Sequence, residues 1–448
     1  MDIAITLEFL IIIACLLVGT RYGGFGLGLV SGLGLLLFTF VFRLEPGQPP
    51  VDVLLTIMAV LGCASVLQTA GGLNVMMRFA ERILRRHPAY ISLLAPVTTW
   101  TLTIMCGTGH VVYTMFPIIY DVAIKQGVRP ERPMAVASVA SQIGICASPV
   151  SVAVVSMVAI LSKSTHPVSI VQLLSVSIPA TFCGVIVAAL WSLTRGKDLD
   201  KDPEFQEKLK DPAQKEYIYG ESATLLDKVF PREAYWSTWI FFAAIAVVVL
   251  LGAFPALRPA FETAGKMKPL SMNLAIQIMM LSAGALILLV CKVPVREIPN
   301  GTVFKAGMVA VVSIFGVAWM ADTFFDAHFE LLKQALATVV ATKPWTYALV
   351  LFVVSKLVNS QAAAIAAIAP LGVSLGVDPL IMVAFVPASY GYFILPTYAS
   401  DLACIGFDRS GTTRIGKFII NHSFIIPGLI GVGTGCVVGY VLVKILIT

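Results

Sequence analysis

A lysine and three capping residues interrupt one long apolar stretch of this sequence. Lys356 and the polar run 359–361 separate the apolar residues 347–354 from 362–369. A charge near the centre of a bilayer costs roughly 2.5–3.5 kcal/mol on insertion scales, so a helix that only spans a membrane is not expected to carry this lysine. We therefore predict that the chain breaks at Asn359-Ser360 and continues as a new helix that begins at membrane depth. Unpaired N–H groups and the helix dipole attract anions to such an N-terminus.

A similar interruption lies in the first half of the chain, between the apolar runs 89–105 and 111–124. Residues 107–109 are Gly-Thr-Gly, in which the glycines allow close backbone approach and the threonine can cap a helix. Two further breaks, at Pro149 and Pro396, lie beside serine and threonine residues. Polar, non-helical backbone at membrane depth is tolerated only where it is buried in protein or lines a cavity. The four breaks therefore indicate a polar site inside the membrane.

These breaks supply the candidate substrate contacts, because their hydroxyl and amide groups can donate hydrogen bonds to a carboxylate. Two plainer interpretations remain open: the polar runs could be surface turns, and the two prolines could be ordinary kinks. The scarcity of flanking polar residues and the matched placement of the breaks favour a site. The candidate substrate-binding residues are Gly107, Thr108, Gly109, Ser148, Pro149, Val150, Ser151, Lys356, Asn359, Ser360, Gln361, Pro396, Thr397, Ser400 and Asp401.

Several charged residues have two possible roles. Lys356 and Asp401 could serve the substrate or could form a buried structural ion pair, since a lone buried charge is the costlier state. Four residues are possible gating residues. One of them, His110, could titrate during transport or be a satisfied core histidine. The other three, Glu81, Arg85 and Arg129, could equally belong to ordinary interfacial segments. Asp121 is expected to be solvated.

The composition is that of a helical integral membrane protein. Hydrophobic residues make up 58% of the 448 positions and charged residues 12%, against about 25% charged in soluble proteins. Apolar stretches of about 20 residues recur along the chain, which favours helices over a β-barrel. The eight cysteines lie in or beside apolar segments without C-x-x-C spacing, which predicts neither a metal site nor a disulfide. No cofactor and no nucleic-acid partner is predicted.

The two halves of the chain follow one plan. Gly107 precedes Asn359 by 252 residues, and Pro149 precedes Pro396 by 247. Each half contains three plain spans, an amphipathic stretch, a re-entrant hairpin, a broken span and a full span, which is typical of transporters built from repeats. The predicted segments are 1–75, an amphipathic arm at 76–87, 88–195 with hairpin 89–124 and broken helix 134–161, a polar loop at 196–232, 233–324, a second arm at 325–341, and 342–448 with hairpin 345–376 and broken helix 380–406.

The distribution of lysine and arginine predicts the orientation of these segments. Five full spans per half give about ten transmembrane helices and require the two repeats to be inverted. With the N-terminus outside, 22 basic residues lie inside, 8 lie outside, and Lys356 lies within the membrane. This excess agrees with the positive-inside rule.

Five long stretches are spread over both halves of the chain: residues 106–135, 147–159, 195–206, 355–364 and 395–413, which include SKLVNSQAAA and LPTYASDLACIGFDRSGTT. They resemble the Dcu family, the anaerobic C4-dicarboxylate transporters of bacterial inner membranes. The resemblance implies exchange of fumarate, malate or aspartate for succinate, and membership of the ion-transporter superfamily. It also implies a homodimeric elevator, in which the hairpins and broken helices form a mobile transport domain and the plain spans form a scaffold.

Three rival functions can be compared with this interpretation. An intramembrane enzyme would need a catalytic motif such as H-E-x-x-H or G-x-G-D, and neither is present in the sequence. A channel would need a continuous polar stripe, whereas the polar residues cluster at four breaks. A cation-coupled dicarboxylate symporter, or a transporter that also acts as co-sensor with a membrane sensor kinase, remains open as an alternative.

Overall fold

The protein is a bundle of membrane-length helices interrupted at several buried positions. The structure is a computed structural model that describes residues 3–49, 51–164, 166–220, 226, 228–263, 266–328, 343, 345–396, 398–416 and 421–447. Thr397 and residues 329–341 of the second predicted arm lie outside the described residues.

The first three helices are apolar on all sides, and the fourth is amphipathic. They are α1 (Ile3–Arg21), α2 (Gly23–Leu36, continued by the π-helical turn Leu37–Val41), α3 (Val51–Thr69) and α4 (Gly72–Arg86). Helix α4 begins four residues before the predicted arm, after a left-handed Gly71 with a φ of 87°.

The next five helices contain the first pair of breaks. They are α5 (Ile91–Cys106), α6 (Val112–Lys125, preceded by the 3-10 turn Gly109–Val111), α7 (Glu131–Ile143), α8 (Val152–Leu161) and α9 (Ile170–Ser192). The predicted break at 148–151 is present, and the 3-10 turn Gly144–Ala147 comes directly before it.

The polar loop is partly ordered into two short helices, α10 (Pro203–Lys208) and α11 (Pro212–Tyr219), which Asp202 and Asp211 cap. The chain then forms α12 (Arg232–Ala253), a two-stranded antiparallel hairpin of β1 (Ala260–Thr263) and β2 (Lys266–Pro269), α13 (Met272–Val290) and α14 (Thr302–Ala327). The β-hairpin corrects the all-α prediction. Helix α14 also extends through residues 325–327, where the second arm was predicted to begin.

The last part of the chain contains the second pair of breaks. It consists of α15 (Trp345–Val358), α16 (Gln361–Ser374), α17 (Pro379–Ala384), α18 (Ala399–Phe407) and α19 (Ile425–Ile447). Two 3-10 turns, Val386–Ser389 and Tyr392–Ile394, lie between α17 and α18. The predicted broken helix 380–406 is therefore two short helices joined by irregular backbone.

Within the described residues, eight helical segments are long and apolar enough to cross a membrane, against about ten predicted. One of them, Pro88–Cys106, was predicted as the first arm of a hairpin. The apolar parts of α1 and α2, Ala4–Gly19 and Phe25–Val41, are shorter than that limit, and the segment 380–406 contains no continuous helix of that length.

Glycines allow two helix pairs to approach closely. A Cβ on Gly316 of α14 would lie 1.9 Å from the carbonyl oxygen of Gly28 of α2, and one on Gly184 of α9 would lie 2.3 Å from that of Gly431 of α19. The hydrophobic effect does not drive helices together in lipid. Van der Waals packing at such close contacts stabilises the helix pairs instead. These contacts fix the helices that surround the central breaks.

Candidate functional site

Both polar interruptions of the sequence line one cavity of about 150 Å³ near the centre of the bundle. We refer to residues 107–110 as tip one and to residues 359–361 as tip two. The cavity is smaller than the roughly 300–1,000 Å³ of drug-sized pockets, so it suits a small metabolite. Tip one and tip two, which are about 250 residues apart in sequence, therefore meet in space.

Two glycines shape tip one, and any larger residue at either position would displace neighbouring atoms. Gly107 has a φ of 73°, and a Cβ there would lie 2.7 Å from the carbonyl oxygen of Val150. A Cβ on Gly109 would lie 2.5 Å from the side-chain nitrogen of Gln142. Thr108 Oγ1 accepts a hydrogen bond from the backbone N–H of His110 at 3.3 Å and lies 3.0 Å from His110 Nδ1. The threonine therefore caps the turn that leads into α6.

Tip two has the cap that the sequence predicted. Asn359 has a φ of 48°, and Ser360 Oγ accepts from the backbone N–H of Ala363 at 3.2 Å, at the start of α16. Gln361, the first residue of α16, is buried and donates to the carbonyl oxygen of Gln142 at 2.7 Å. Its side-chain oxygen accepts from Cys146 Sγ at 3.2 Å. These contacts fix the N-terminus of α16 against the α7–α8 break.

Lys356 lies one turn before tip two and is half-buried. Its ammonium group donates to Asn359 Oδ1 at 3.1 Å and to the carbonyl oxygens of Tyr392 and Leu395, each at 3.4 Å. Asp401 is fully buried, and its Oδ1 accepts from Ser138 Oγ at 2.8 Å. The ion-pair alternative is not supported, because no ion pair joins Lys356 to Asp401 in the described part of the chain.

The other predicted contacts are divided between the cavity and the backbone. Val150 lines the cavity, but Ser148 donates to the carbonyl oxygen of Ile104 and Ser151 to that of Ile145, each at 2.7 Å. The hydroxyls of these two serines therefore hold the break in shape and do not line the cavity. Pro149 and Pro396 are buried. Among the described residues, the buried Ser400 Oγ and Asp401 Oδ2 have no hydrogen-bond partner.

Three polar residues of the site, Tyr392, Tyr398 and Gln142, were not predicted from the sequence. Tyr392 and Tyr398 both line the cavity, with ring centroids 4.5 Å apart. Tyr392 donates to Gln142 Oε1 at 2.7 Å and accepts from Gln361 at 3.3 Å. The only sequence signal was that Tyr392 and Tyr398 flank the predicted break at Pro396 and could share its environment.

The two walls of the cavity differ in polarity. The polar lining residues all come from tip one, tip two and the turns beside α18. The opposite wall comes from α3 and α14 and consists of Val60, Leu61, Ala64, Val303, Ala306, Gly307 and Ala310. A ligand in this cavity would therefore make its hydrogen bonds to one wall and only apolar contacts with the other.

Two of the possible gating residues lie in an ion-pair cluster outside the cavity. Arg85 contacts Glu81 and Asp121, each at 2.8 Å, and Lys125 contacts Asp121 at 2.9 Å. Asp121 is only 2% exposed, so the expectation that it is solvated is wrong, because α4 packs against α6 and brings Arg85 to it.

The third possible gating residue, Arg129, is buried between two carboxylates. It contacts Glu131 at 2.8 Å and Asp202 at 2.5 Å. Burial raises the pKa of Asp202, but hydrogen bonds from Arg129 and from the backbone of Phe205 outweigh burial and hold that pKa below its usual value. The hydrogen bond and charge of Arg132 likewise lower the pKa of Asp198. These pairs attach the polar loop to the start of α7.

The fold defines the class of the protein as a helical membrane protein, and two solved structures of transporters share that fold. A crystal structure of the YdaH transporter from Alcanivorax borkumensis matches with a TM-score of 0.55 at 18% identity, over 92% of this chain and 88% of that one. A structure of MtrF from Neisseria gonorrhoeae, which is described as representing a class of antimetabolite efflux pumps, matches with a TM-score of 0.56 at 13% identity, over 99% of this chain and 95% of that one. At these identities the likeness shows the fold alone.

The chain belongs to the anaerobic C4-dicarboxylate membrane transporter family, whose model matches residues 4–447. It is 55% identical to the anaerobic C4-dicarboxylate transporter DcuB of Escherichia coli O6:H1, over 97% of this chain and 98% of the relative. It is 37% identical to the C4-dicarboxylate transporter DcuA of Wolinella succinogenes, over 98% and 99%. The resemblance drawn from the sequence is confirmed: this is a multi-pass inner-membrane transporter and not an enzyme.

Proposed function

We propose that the protein exchanges C4-dicarboxylates such as fumarate, malate or aspartate for succinate across the inner membrane. The observation that carries this proposal is the meeting of two capped helix starts, tip one and tip two, on one small cavity. Each helix start supplies unpaired N–H groups and about half a positive charge, so each suits one carboxylate. A four-carbon diacid then bridges the tips, with Lys356 adding a full charge beside tip two. The family and its relatives support this substrate class.

The polarity of the cavity walls supports an elevator mechanism. All hydrogen-bonding side chains belong to the hairpins and broken helices, which form the transport domain, while the scaffold wall from α3 and α14 is apolar. In such a design, the transport domain carries the substrate past the scaffold without breaking polar contacts to it. Because the scaffold wall is apolar, the loaded transport domain makes and breaks no hydrogen bonds to it as it moves. The free energy of the loaded domain therefore stays similar throughout the movement.

The exchange itself is tested with the purified protein in proteoliposomes. Uptake of labelled succinate should be rapid when the vesicles contain unlabelled succinate or fumarate, and close to that of protein-free vesicles when they contain none. Fast uptake into empty vesicles that follows an imposed proton or sodium gradient would contradict obligatory exchange.

The last outcome would favour cation-coupled symport, the second candidate. One observation supports that candidate: Asp401 is buried, and in the described part of the chain its Oδ2 has no hydrogen-bond partner. A buried carboxylate usually requires a compensating partner, and a proton or a cation would supply one.

We also propose that the two repeats are inverted, so that the hairpin 89–124 opens to the cytoplasm and the hairpin 345–376 to the periplasm. The turn after the first hairpin carries Lys125, Arg129 and Arg132, whereas the turn at 377–379 has no lysine or arginine. Single cysteines at the exposed positions Lys125 and Asp378, in a background without other cysteines, should be labelled from opposite sides of the membrane. Labelling from the same side would overturn the inverted arrangement.

A further inference from the structure

Helix α4 has an outward face that combines an exposed aromatic ring with arginines. Phe79, Arg82 and Arg86 are exposed and fall within one side of the helix, and the Phe79 side chain is 65% exposed. The opposite side is buried and consists of Leu73, Met76, Met77, Ala80 and Leu84. An exposed phenylalanine between arginines is costly in water but suits the boundary between lipid headgroups and acyl chains.

Contacts with α12 place α4 at that boundary. Thr238 of α12 donates to the carbonyl oxygen of Gly72 at 3.2 Å, and Arg78 donates to the hydroxyl of Tyr235 at 3.2 Å. Beside these contacts, Trp236 and Trp239 are 59% and 67% exposed at the start of α12. Exposed tryptophans at the end of a spanning helix mark the membrane–water interface. Helix α4 therefore lies along the interface at the depth of these tryptophans.

The arginines of α4 divide into two groups. Arg78 donates to the hydroxyl of Tyr235 and to the carbonyl oxygen of Leu226. Arg85 forms ion pairs with Glu81 and Asp121, so both arginines are bound within the protein. Arg82 and Arg86 are exposed, and neither forms an ion pair within the ranges that the structure describes. Two guanidinium groups at the interface without a protein carboxylate are complementary to the phosphates of anionic lipids.

We propose that the outward face of α4, formed by Phe79, Arg82 and Arg86, binds the headgroup of an anionic phospholipid in the leaflet it faces. The guanidinium groups of Arg82 and Arg86 bind the phosphate, and the ring of Phe79 lies among the first acyl carbons. Because α4 connects α3 to the hairpin 89–124 and packs on α5 and α6, the bound lipid acts on the connection between scaffold and hairpin. The binding itself does not depend on the proposed substrate.

The test is a lipid titration of the full chain in neutral detergent, followed by native mass spectrometry. The unaltered protein should retain phosphatidylglycerol at least tenfold more tightly than phosphatidylcholine. The double variant R82Q/R86Q should lose more than tenfold in affinity for phosphatidylglycerol and none for phosphatidylcholine, since one basic residue near an anionic surface contributes about fivefold. The conservative variant R82K/R86K keeps both charges and should retain most of the binding.

Matched controls keep the proposal falsifiable. The variant K201Q/K210Q removes two positive charges from the polar loop, where Lys201 and Lys210 pair with Asp198 and Glu207, and it should leave lipid binding unchanged. Unchanged phosphatidylglycerol binding in R82Q/R86Q, or an equal loss in K201Q/K210Q, would overturn the proposal. Displacement of the lipid by inorganic phosphate would identify a site for soluble anions. A change of oligomeric mass without loss of lipid would identify a contact between two copies of the chain. Displacement by phosphate and such a change of mass would each overturn the proposal as well.

Discussion

Gly107 and Asn359 both adopt a left-handed backbone conformation where a helix ends at the cavity, but their surroundings differ. At tip one the turn depends on the absence of side chains, because Val150 and Gln142 lie where a Cβ on Gly107 or Gly109 would be. At tip two the turn carries a side chain, and Asn359 accepts a hydrogen bond from the Lys356 ammonium group. Tip one therefore offers closely packed backbone with the side chains of Thr108 and His110, whereas tip two offers backbone with the positive charge of Lys356 one turn away.

Under the proposed function, this difference would let one site accept two carboxylates in unlike ways. Backbone N–H groups at tip one would bind a carboxylate through geometry, so shape changes should damage that half most. Charge at tip two would act over a longer range, so loss of Lys356 should lower affinity even if the shape is kept.

The largest effect is expected from a cross-link between the two cavity walls. Ala310 of α14 and Ala362 of α16 both line the cavity, on the scaffold wall and beside tip two. Cysteines at these positions, joined by a short bifunctional reagent in a background without other cysteines, should reduce succinate exchange to the level of protein-free vesicles. As the matched control, cysteines at Val136 of α7 and Ala188 of α9, which pack together within the proposed transport domain and do not line the cavity, should leave exchange normal when cross-linked. Full activity of the first pair would argue for local gating and against domain movement.

Removal of the charge at tip two should have the next largest effect. Lys356→Met is expected to weaken succinate affinity more than tenfold, about 1.4 kcal/mol, as measured by equilibrium binding. Asp401→Asn should be milder, because Asp401 accepts from Ser138 and does not pair with Lys356. If the double variant Lys356→Met/Asp401→Asn instead regains both yield and transport, Lys356 serves a structural pair and not the substrate.

A methyl group at tip one tests the role of the closely packed backbone. Gly107→Ala should slow exchange severalfold and destabilise the tip by about 1–3 kcal/mol, because alanine is strained at positive φ and its Cβ would meet Val150. Gly127→Ala is the matched control: Gly127 has a φ of 67°, but no atom lies within 4 Å of its Cβ position. Equal exchange rates in the two variants would show that the contact with Val150 is unimportant.

The smallest effect concerns the attachment of the polar loop. The pKa of Asp202 is held below its usual value in the folded protein, so its contribution to stability is present above the unfolded pKa of about 3.9 and is lost as pH falls through the folded pKa. Asp202→Asn should therefore reduce the stability by about 1 kcal/mol at pH 7 and by much less at strongly acidic pH, as followed by thermal unfolding. Asp200 is exposed, and Asp200→Asn should show no such pH-dependent difference.

Both tips were predicted because the capping residues at 107–109 and 359–361 interrupt apolar runs. Capping depends on residues that are close in sequence, so it does not require knowledge of the tertiary structure. The sequence did not predict the roles of Tyr392 and Gln142. Their hydrogen bond joins residues 250 positions apart, and it forms because 3-10 turns at Val386–Ser389 and Tyr392–Ile394 interrupt the broken helix 380–406 before the predicted break at Pro396. The burial of Asp121 was missed for a related reason, since its partner Arg85 comes from the separate helix α4.

The β-hairpin 260–269 was also missed. Its strands are only four residues long. AFET does not alternate apolar and polar residues, and KMKP alternates over too few residues to be a distinctive strand signal. Pairing of β1 with β2, and not burial of one face, defines this hairpin, because Phe261 and Met267 are both exposed.

The central claim is that tip one and tip two each hold one carboxylate of the same substrate molecule. It is tested most directly by comparing the affinities of the purified protein for succinate and for butyrate, which has the same four carbons but a single carboxylate. Butyrate should bind at least a hundredfold more weakly than succinate, a difference of about 2.7 kcal/mol, because one tip would remain without its anion. Similar affinities for the two acids would contradict the two-tip account.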